Sequence, residues 1–189
     1  MLLETIRCVE GLPLHLSYHQ KRLDTSLRCL GIDASYDLHK LIHPPKSGIF
    51  RCRFLYSAEH FSVEFLPYTP KKITSLKLIP TEEIEYPLKY SNRDSLNALL
   101  AQRGECDDVL IVKNGYLTDT TIANIALFIE GEWLTPQSPL LRGTTRGRLM
   151  DEGILLPAVL TPDDISKATK IALMNAMLGM IEVENGIIS

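Results

Sequence analysis

The sequence has no long hydrophobic run. Its longest apolar stretches, Ile122–Ile129 and Ile154–Leu160, fall far short of the roughly 20 residues a membrane-spanning helix needs, so no membrane span is expected. A basic excess is missing too. With 20 Lys and Arg against 23 Asp and Glu, the net charge is −3. That gives none of the positive field on which non-specific nucleic-acid binding depends, and no nucleic-acid partner is expected. The opening residues, Met1 to Arg7, lack the basic region and long apolar stretch of a secretory signal, which points to a cytoplasmic protein. Cysteine is sparse: Cys8, Cys29, Cys52 and Cys106 form no CxxC pair and read as reduced core thiols, Cys29 in a helical run and Cys52 in a strand-like one. Two histidine pairs, His15 with His19 and His39 with His43, stand four apart. Neither encloses the glutamate of an HExxH motif, and Pro44-Pro45 ends the second helix, so no metal site is expected.

What is present is ordinary for a packed protein. The 189 residues are 45% hydrophobic and 23% charged, enough for a real core in one domain or two small lobes. Leu2–Val9 reads as an opening strand, with a turn at Glu10-Gly11. From His19 to Leu30 the leucines at 23, 27 and 30 follow helical spacing, and Gly31 stops the run. A short helix is expected over Tyr36–Ile42. Strands follow at Ile49–Tyr56 and Phe61–Phe65, linked as a hairpin, and then at Ile73–Ile79. The stretch from Pro67 to Pro87, rich in proline, threonine and charge, marks a lobe boundary. Beyond it come a helix at Asn92–Gln102 and a meander through Val109–Val112, Leu117–Thr118 and Ile122–Ile129 that turns at Asn114-Gly115 and Glu130-Gly131. A helix opens at Gly143, another follows Thr161, and strands are expected near Ile171–Met174 and Met180–Val183. The fold class expected is α/β (α+β).

Four features could carry chemistry. Lys89, in Tyr86-Pro87-Leu88-Lys89-Tyr90, either snorkels to solvent or is a partly desolvated amine able to form a Schiff base with an aldehyde. Asp119 lies in Thr118-Asp119-Thr120-Thr121, a composition typical of turns. Yet Asn114-Gly115 already supplies a turn, and a carboxylate there could bind a protonated ring nitrogen. Gly143-Thr144-Thr145-Arg146 is either a capped helix start or an anion site of free N–H groups and hydroxyls. His19-Gln20-Lys21-Arg22 is either a solvated basic turn or holds a phosphate-clamping arginine. An amine, a carboxylate and a phosphate cradle are together what a protein needs to hold pyridoxal phosphate.

The ordered set of Leu2–Arg7, His19–Leu23, Lys89 with Asn92-Arg93, Thr118–Asn124, Thr135-Pro136, Gly143–Arg146 and Met174-Asn175-Ala176 resembles the class IV aminotransferases. That pyridoxal-phosphate family includes branched-chain and D-amino-acid aminotransferases and 4-amino-4-deoxychorismate lyase. The resemblance implies a two-lobed fold with the cofactor between the lobes: a smaller α+β lobe over 1–80, and a larger one over 81–189 carrying the Schiff-base lysine. It implies Lys89 as that lysine and as proton shuttle, and Asp119 as the partner of the pyridine nitrogen, where the family usually has glutamate. Arg22, Thr144 and Thr145 would serve the phosphate, with Asn175 on the last phosphate-side loop and Thr120, Thr121 and Asn124 on the pocket floor. A small-molecule amino substrate and a homodimer are implied as well. By the resemblance, the leading segment that full-length members carry before the Glu-Thr-Ile-Arg strand is expected to be lacking here.

Leu88-Lys89 with Asn92-Arg93, and Met174–Met177, look closer to aminodeoxychorismate lyase, which eliminates pyruvate to give 4-aminobenzoate. The alternatives are an aminotransferase acting on branched-chain or D-amino acids, and a degenerate non-catalytic relative. Arg51 and Arg53 alternate on one strand and share a side. They are open candidates for substrate carboxylates or for a plain surface pair.

Overall fold

The larger hydrophobic clusters among the described residues are built one on an antiparallel sheet and one on a mixed sheet, and a smaller one gathers Ala126, Leu149, Leu155 and Met174. A computed structural model describes residues 1–183 and the backbone of 187–188. The first compact unit comprises Met1–Pro70 and Leu88–Asn92; the second comprises Lys71–Pro87 and the chain from Arg93 onward.

The first unit begins with β1 (Leu2–Val9) and β2 (Leu12–Pro13), joined through Glu10 and Gly11, both at positive φ. Helices α1 (Leu16–Cys29) and α2 (Leu38–Leu41) follow, and then the hairpin β3 (Ile49–Tyr56) and β4 (Phe61–Pro67). The sheet order is β2-β1-β3-β4, all antiparallel. Alternation sorts its faces. Ile6, Cys8, Cys52 and Phe54 point into the core, whereas Thr5, Arg7, Arg51 and Arg53 occupy the other face. Helix α1 covers the core face with Leu16, His19, Leu23, Ser26 and Leu27, the spacing of one helical stripe. Leu30 and Cys29 do not join that stripe. Leu30 is the C-cap and is exposed, and Cys29, expected as a buried thiol, lies on the solvent side of the last turn.

The lobe boundary differs from the expected division at 80/81. The segment Leu88–Asn92 groups with the first unit, so Lys89 belongs to the smaller unit and not to the larger lobe. Leu88 and Tyr90 pack against the first core. The Leu3 amide donates to the Lys89 carbonyl at 2.9 Å, and the Ser91 amide to the Met1 carbonyl at 3.1 Å.

The second unit contains β5 (Leu76–Thr81), α3 (Asp94–Leu100), β6 (Asp108–Lys113), β7 (Tyr116–Thr120), β8 (Asn124–Ile129), β9 (Glu132–Pro136), α4 (Thr144–Asp151) and β10 (Leu155–Ala158). After a 3-10 turn at Pro162–Lys167, where a full helix was expected, come β11 (Lys170–Asn175), β12 (Gly179–Glu182) and β13 (Ile187–Ile188). Among the described residues the sheet runs β10-β9-β8-β7-β6-β5-β13, with β11 also on β8 and β12 on β11. Strand β5 starts at Leu76 and not at Ile73 because Asp107 accepts from the Thr74 and Ser75 amides, at 2.7 and 3.2 Å, which ties these residues down before the strand begins. No described helix is long and apolar enough to cross a membrane.

Candidate active site

The six candidate residues divide between the units. Arg22 and Lys89 lie in the first; Asp119, Thr144, Thr145 and Asn175 lie in the second.

In the first unit, β1 and α1 enclose a charged cluster that the sequence reading did not single out. Glu4 is completely buried, and its carboxylate receives three donors. Nε of Arg22 donates to Oε1 at 2.8 Å, and Nη2 of Arg22 to Oε2 at 2.5 Å. Nδ1 of His19 stands 2.7 Å from Oε2. Burial alone pushes the Glu4 carboxyl up, but Arg22 and His19 together hold it at about 2. His19 is driven the other way, its pKa lowered by burial against the pull of Glu4. The cluster is therefore an ionised Glu4, a neutral His19 donating from Nδ1, and a charged Arg22, with no net charge left in the core. Lys89 is half-buried, and its charge reaches His19. The only sequence signal for the cluster was the i,i+3 spacing of His19 and Arg22 on one helix face.

In the second unit, Asp119 is set by an irregularity. The β6–β7 register passes from Leu110 opposite Thr120 to Val112 opposite Leu117. Thr118 and Asp119 thus share one partner residue, Ile111, in a β-bulge, a feature that re-aims side chains. Leu117 to Thr120 are consequently all buried, where simple alternation would expose every second one. Thr118 Oγ1 donates to the Ile111 carbonyl at 2.9 Å. Oδ1 of Asp119 accepts from Asn124 Nδ2 at 2.7 Å, and Oδ2 accepts from the Leu141 amide at 2.8 Å. Burial pushes this carboxyl up to about 7, against the opposing pull of these donors and of Arg146. Asn124 also donates to the Leu141 carbonyl at 2.8 Å, clamping the loop before α4 from both sides.

Gly143 closes that clamp. A Cβ there would lie 2.0 Å from Asn124 Oδ1, so only glycine lets the loop approach. Gly143 is the N-cap of α4 and makes no side-chain cap, which leaves the first-turn amides of Thr144 and Thr145 without that partner. Thr144, Thr145 and Arg146 are all buried. Arg146 Nη2 donates to the Pro136 carbonyl at 2.8 Å, while its Nε is buried without a hydrogen-bond partner among the described residues.

The remaining candidates are bonded to backbone groups or to neighbouring carboxylates. Asn175 Oδ1 accepts from the Met177 and Leu178 amides at 2.9 and 2.8 Å, and its Nδ2 donates to the Ile122 carbonyl at 3.1 Å. Thr120 Oγ1 accepts from the Ala123 amide at 3.0 Å, and Thr121 donates to Asp108 at 2.8 Å. Arg53 is paired with Glu64 at 3.0 Å. A cavity of about 500 Å³ in the second unit is lined by Tyr86, Lys113, Leu117, Thr118 and Leu140 among others, and by none of the six candidates.

Comparison with known proteins bears on this arrangement. The family model described as amino-transferase class IV matches residues 1–185. An uncharacterized protein of Haemophilus influenzae is 36% identical over 186 residues, covering 95% of this chain and 98% of its own. A crystal structure from Haemophilus somnus, with the proposed identity of a 4-amino-4-deoxychorismate lyase, superposes with a TM-score of 0.88 at 33% identity, covering 94% of this chain and 96% of that one. A Mesorhizobium loti structure with the proposed identity of an amino-acid aminotransferase shares the fold at a TM-score of 0.81 and 24% identity, with 99% of each chain covered.

Proposed function

Because the chain belongs to the class IV aminotransferase family, whose members use pyridoxal phosphate, we propose that it is a pyridoxal-phosphate enzyme of the 4-amino-4-deoxychorismate lyase kind. The observation that carries the reading is the Asp119 carboxylate, buried and held by Asn124 and Leu141 in the same unit as the uncapped start of α4.

The donor set fits the cofactor. A carboxylate can accept about four hydrogen bonds, so two donors on Asp119 leave room for a ring N–H. The first-turn amides and hydroxyls of Thr144 and Thr145, whose helix has no side-chain cap, suit a phosphate, and so does the Arg22 guanidinium. When bound, pyridoxal phosphate supplies the electron sink that makes a carbanion next to the substrate nitrogen accessible.

The chain's own residues do the rest. Lys89 provides the amine that anchors the cofactor and then carries a proton from one substrate atom to another. Asp119 in its ionised form keeps the ring nitrogen protonated. Arg22, its Nε and Nη2 fixed by Glu4, would meet the phosphate as a guanidinium held in one orientation, its charge balanced by Glu4. Asn175 and Thr120 hold the surrounding loops in shape. In the lyase reaction pyruvate leaves and 4-aminobenzoate forms. The reading includes a homodimer in the cytoplasm with a small amino-bearing substrate.

Visible absorbance tests the cofactor step. The purified protein, or protein incubated with pyridoxal phosphate, should show the band of a lysine-linked cofactor, and Lys89→Ala should abolish it. A protein that stays colourless is a non-catalytic relative. With the band present, pyruvate and 4-aminobenzoate from aminodeoxychorismate support the lyase. Turnover of an amino acid with 2-oxoglutarate and no 4-aminobenzoate assigns an aminotransferase instead. The fold shared with the Mesorhizobium loti protein is compatible with that second outcome.

A further inference from the structure

The cavity in the second unit draws its walls from four stretches of chain. Lys113, Tyr116 and Leu117 come from the β6–β7 hairpin, Leu140 from the loop ahead of α4, Leu160 from the residues after β10, and Tyr86 from the segment after β5. Backbone bonds hold these stretches to one another. The Leu117 amide donates to the Leu160 carbonyl at 2.8 Å, and the Gln137 amide to the Ala158 carbonyl at 2.8 Å. The walls are therefore built into the fold, and about 500 Å³ is the size of a small-molecule pocket.

The lining sets the chemistry. Tyr86, Leu117, Leu140 and Leu160 are buried, so much of the wall is apolar, and the exposed Tyr116 adds a second aromatic ring. Flat, rigid rings of this kind favour an aromatic ligand over a flexible chain. One cation enters the lining. The side chain of Lys113 is only 20% exposed, although a lysine beside apolar surface ordinarily runs its ammonium out to water. Its Nζ donates to Glu85, whose own side chain is 74% exposed. An ion pair with so exposed an acid is weak. An ammonium also carries three N–H donors, so Lys113 can take a second carboxylate, one that enters from the apolar side.

We propose that this cavity binds an aromatic carboxylate, its ring against the leucines and tyrosines and its carboxylate on Lys113. The site is distinct from the one proposed for the cofactor. Thr118 and Leu140 line the cavity, whereas the residues that follow them, Asp119 and Leu141, bond to each other at 2.8 Å. The two sites thus lie on opposite sides of the same pair of segments. No residue given a role in the proposed reaction contributes to the cavity, so the two readings stand or fall separately.

Calorimetric titration of the full chain with sodium benzoate tests the site, with benzamide as the uncharged comparison. Benzoate should bind, and benzamide should bind at least about tenfold more weakly, the loss of one charge-assisted hydrogen bond. Lys113→Met should weaken benzoate by the same factor. Glu85→Gln should tighten it, because the competing acid is gone and a like charge beside the ligand is removed. A gain of that sign cannot come from a damaged fold.

The titration is repeated after incubation with pyridoxal phosphate, which should leave benzoate binding unchanged. Displacement of benzoate by the cofactor would put it in the other site and overturn the proposal. So would no binding to the wild type, equal affinity for benzamide, undiminished affinity in Lys113→Met, or weaker binding in Glu85→Gln. A protein that stays colourless yet binds benzoate in this pattern defeats the cofactor reading and leaves the cavity assignment standing.

Discussion

Asp119 and Asn124 face each other across the single register pair that joins β7 to β8, and the Asn124 amide donates to the Asp119 carboxylate at 2.7 Å. That contact lies at the focus of the second unit. The β-bulge supplies the carboxylate, the start of the most apolar strand supplies the amide, and the loop ahead of α4 is fastened to both.

Asp119 should give the molecule a pH signature. Its folded pKa of about 7 lies above the ordinary 3.8, so between those values the folded state holds a proton that the unfolded state has released. Stability should therefore fall as pH rises from about 4 to about 7, by no more than about 1.4 kcal/mol per pH unit from this group. Asp119→Asn should flatten that slope in urea unfolding. A protonated ring nitrogen against Asp119 would favour its ionised form, so adding pyridoxal phosphate should reduce that slope in the wild type and leave Asp119→Asn unchanged.

Glu4 predicts the opposite behaviour in acid. Its folded pKa of about 2 lies below the ordinary 4.5, so its contribution is complete above 4.5 and disappears as pH falls towards 2. Glu4→Gln leaves the Arg22 charge without its counter-ion and should cost about 3–5 kcal/mol at neutral pH. Equal chemical denaturation midpoints for the two proteins at pH 7 would refute the role assigned to this carboxylate.

Gly143→Ala should be poorly tolerated although its backbone angles, φ −65° and ψ 145°, suit any residue. The added methyl meets Asn124 Oδ1 at 2.0 Å, and overpacking of this kind costs about 1–3 kcal/mol. The loop must back away and loosen both donors to Asp119. The stability slope between about pH 4 and 7 should change together with the overall stability, which a plain helix-cap effect would not cause.

Cysteine reactivity offers a direct check on the first unit. Cys29 is exposed, while Cys8, Cys52 and Cys106 are buried and free. A thiol reagent should label one cysteine quickly in the native protein and the remaining three only on unfolding, and Cys29→Ser should remove the fast phase. Fast labelling that survives Cys29→Ser but is lost on replacing Cys8 or Cys52 would mean that the core face of β1 and β3 opens in solution.

Much of this molecule follows from local pattern. The leucine stripe of α1, the hairpin of β3 and β4, and the turn at Asn114-Gly115 are periodicity and turn chemistry, which act over a few residues. The candidates Arg22, Lys89, Asp119, Thr144 and Thr145 are nominated by the sequence because their residue types and order resemble a known family. Asn175 is nominated on the same ground, and its side-chain amide is bonded to backbone groups. Glu4 was not legible as a site residue. On a strand it is one glutamate among many, and only its complete burial between His19 and Arg22 gives it meaning.

The same limit applies wherever partners are far apart in the chain. Alternation predicts that Arg51 and Arg53 share a face, but whether each meets an acid or another arginine depends on the register against β1 and β4. Likewise the composition around Asp119 allows a turn, and a one-residue mismatch between β6 and β7 makes it a bulge. By itself the sequence determined which residues are available and in what local conformation. Tertiary structure alone decided their neighbours, because charge pairing, burial and steric closeness are set by strands and helices from distant parts of the chain.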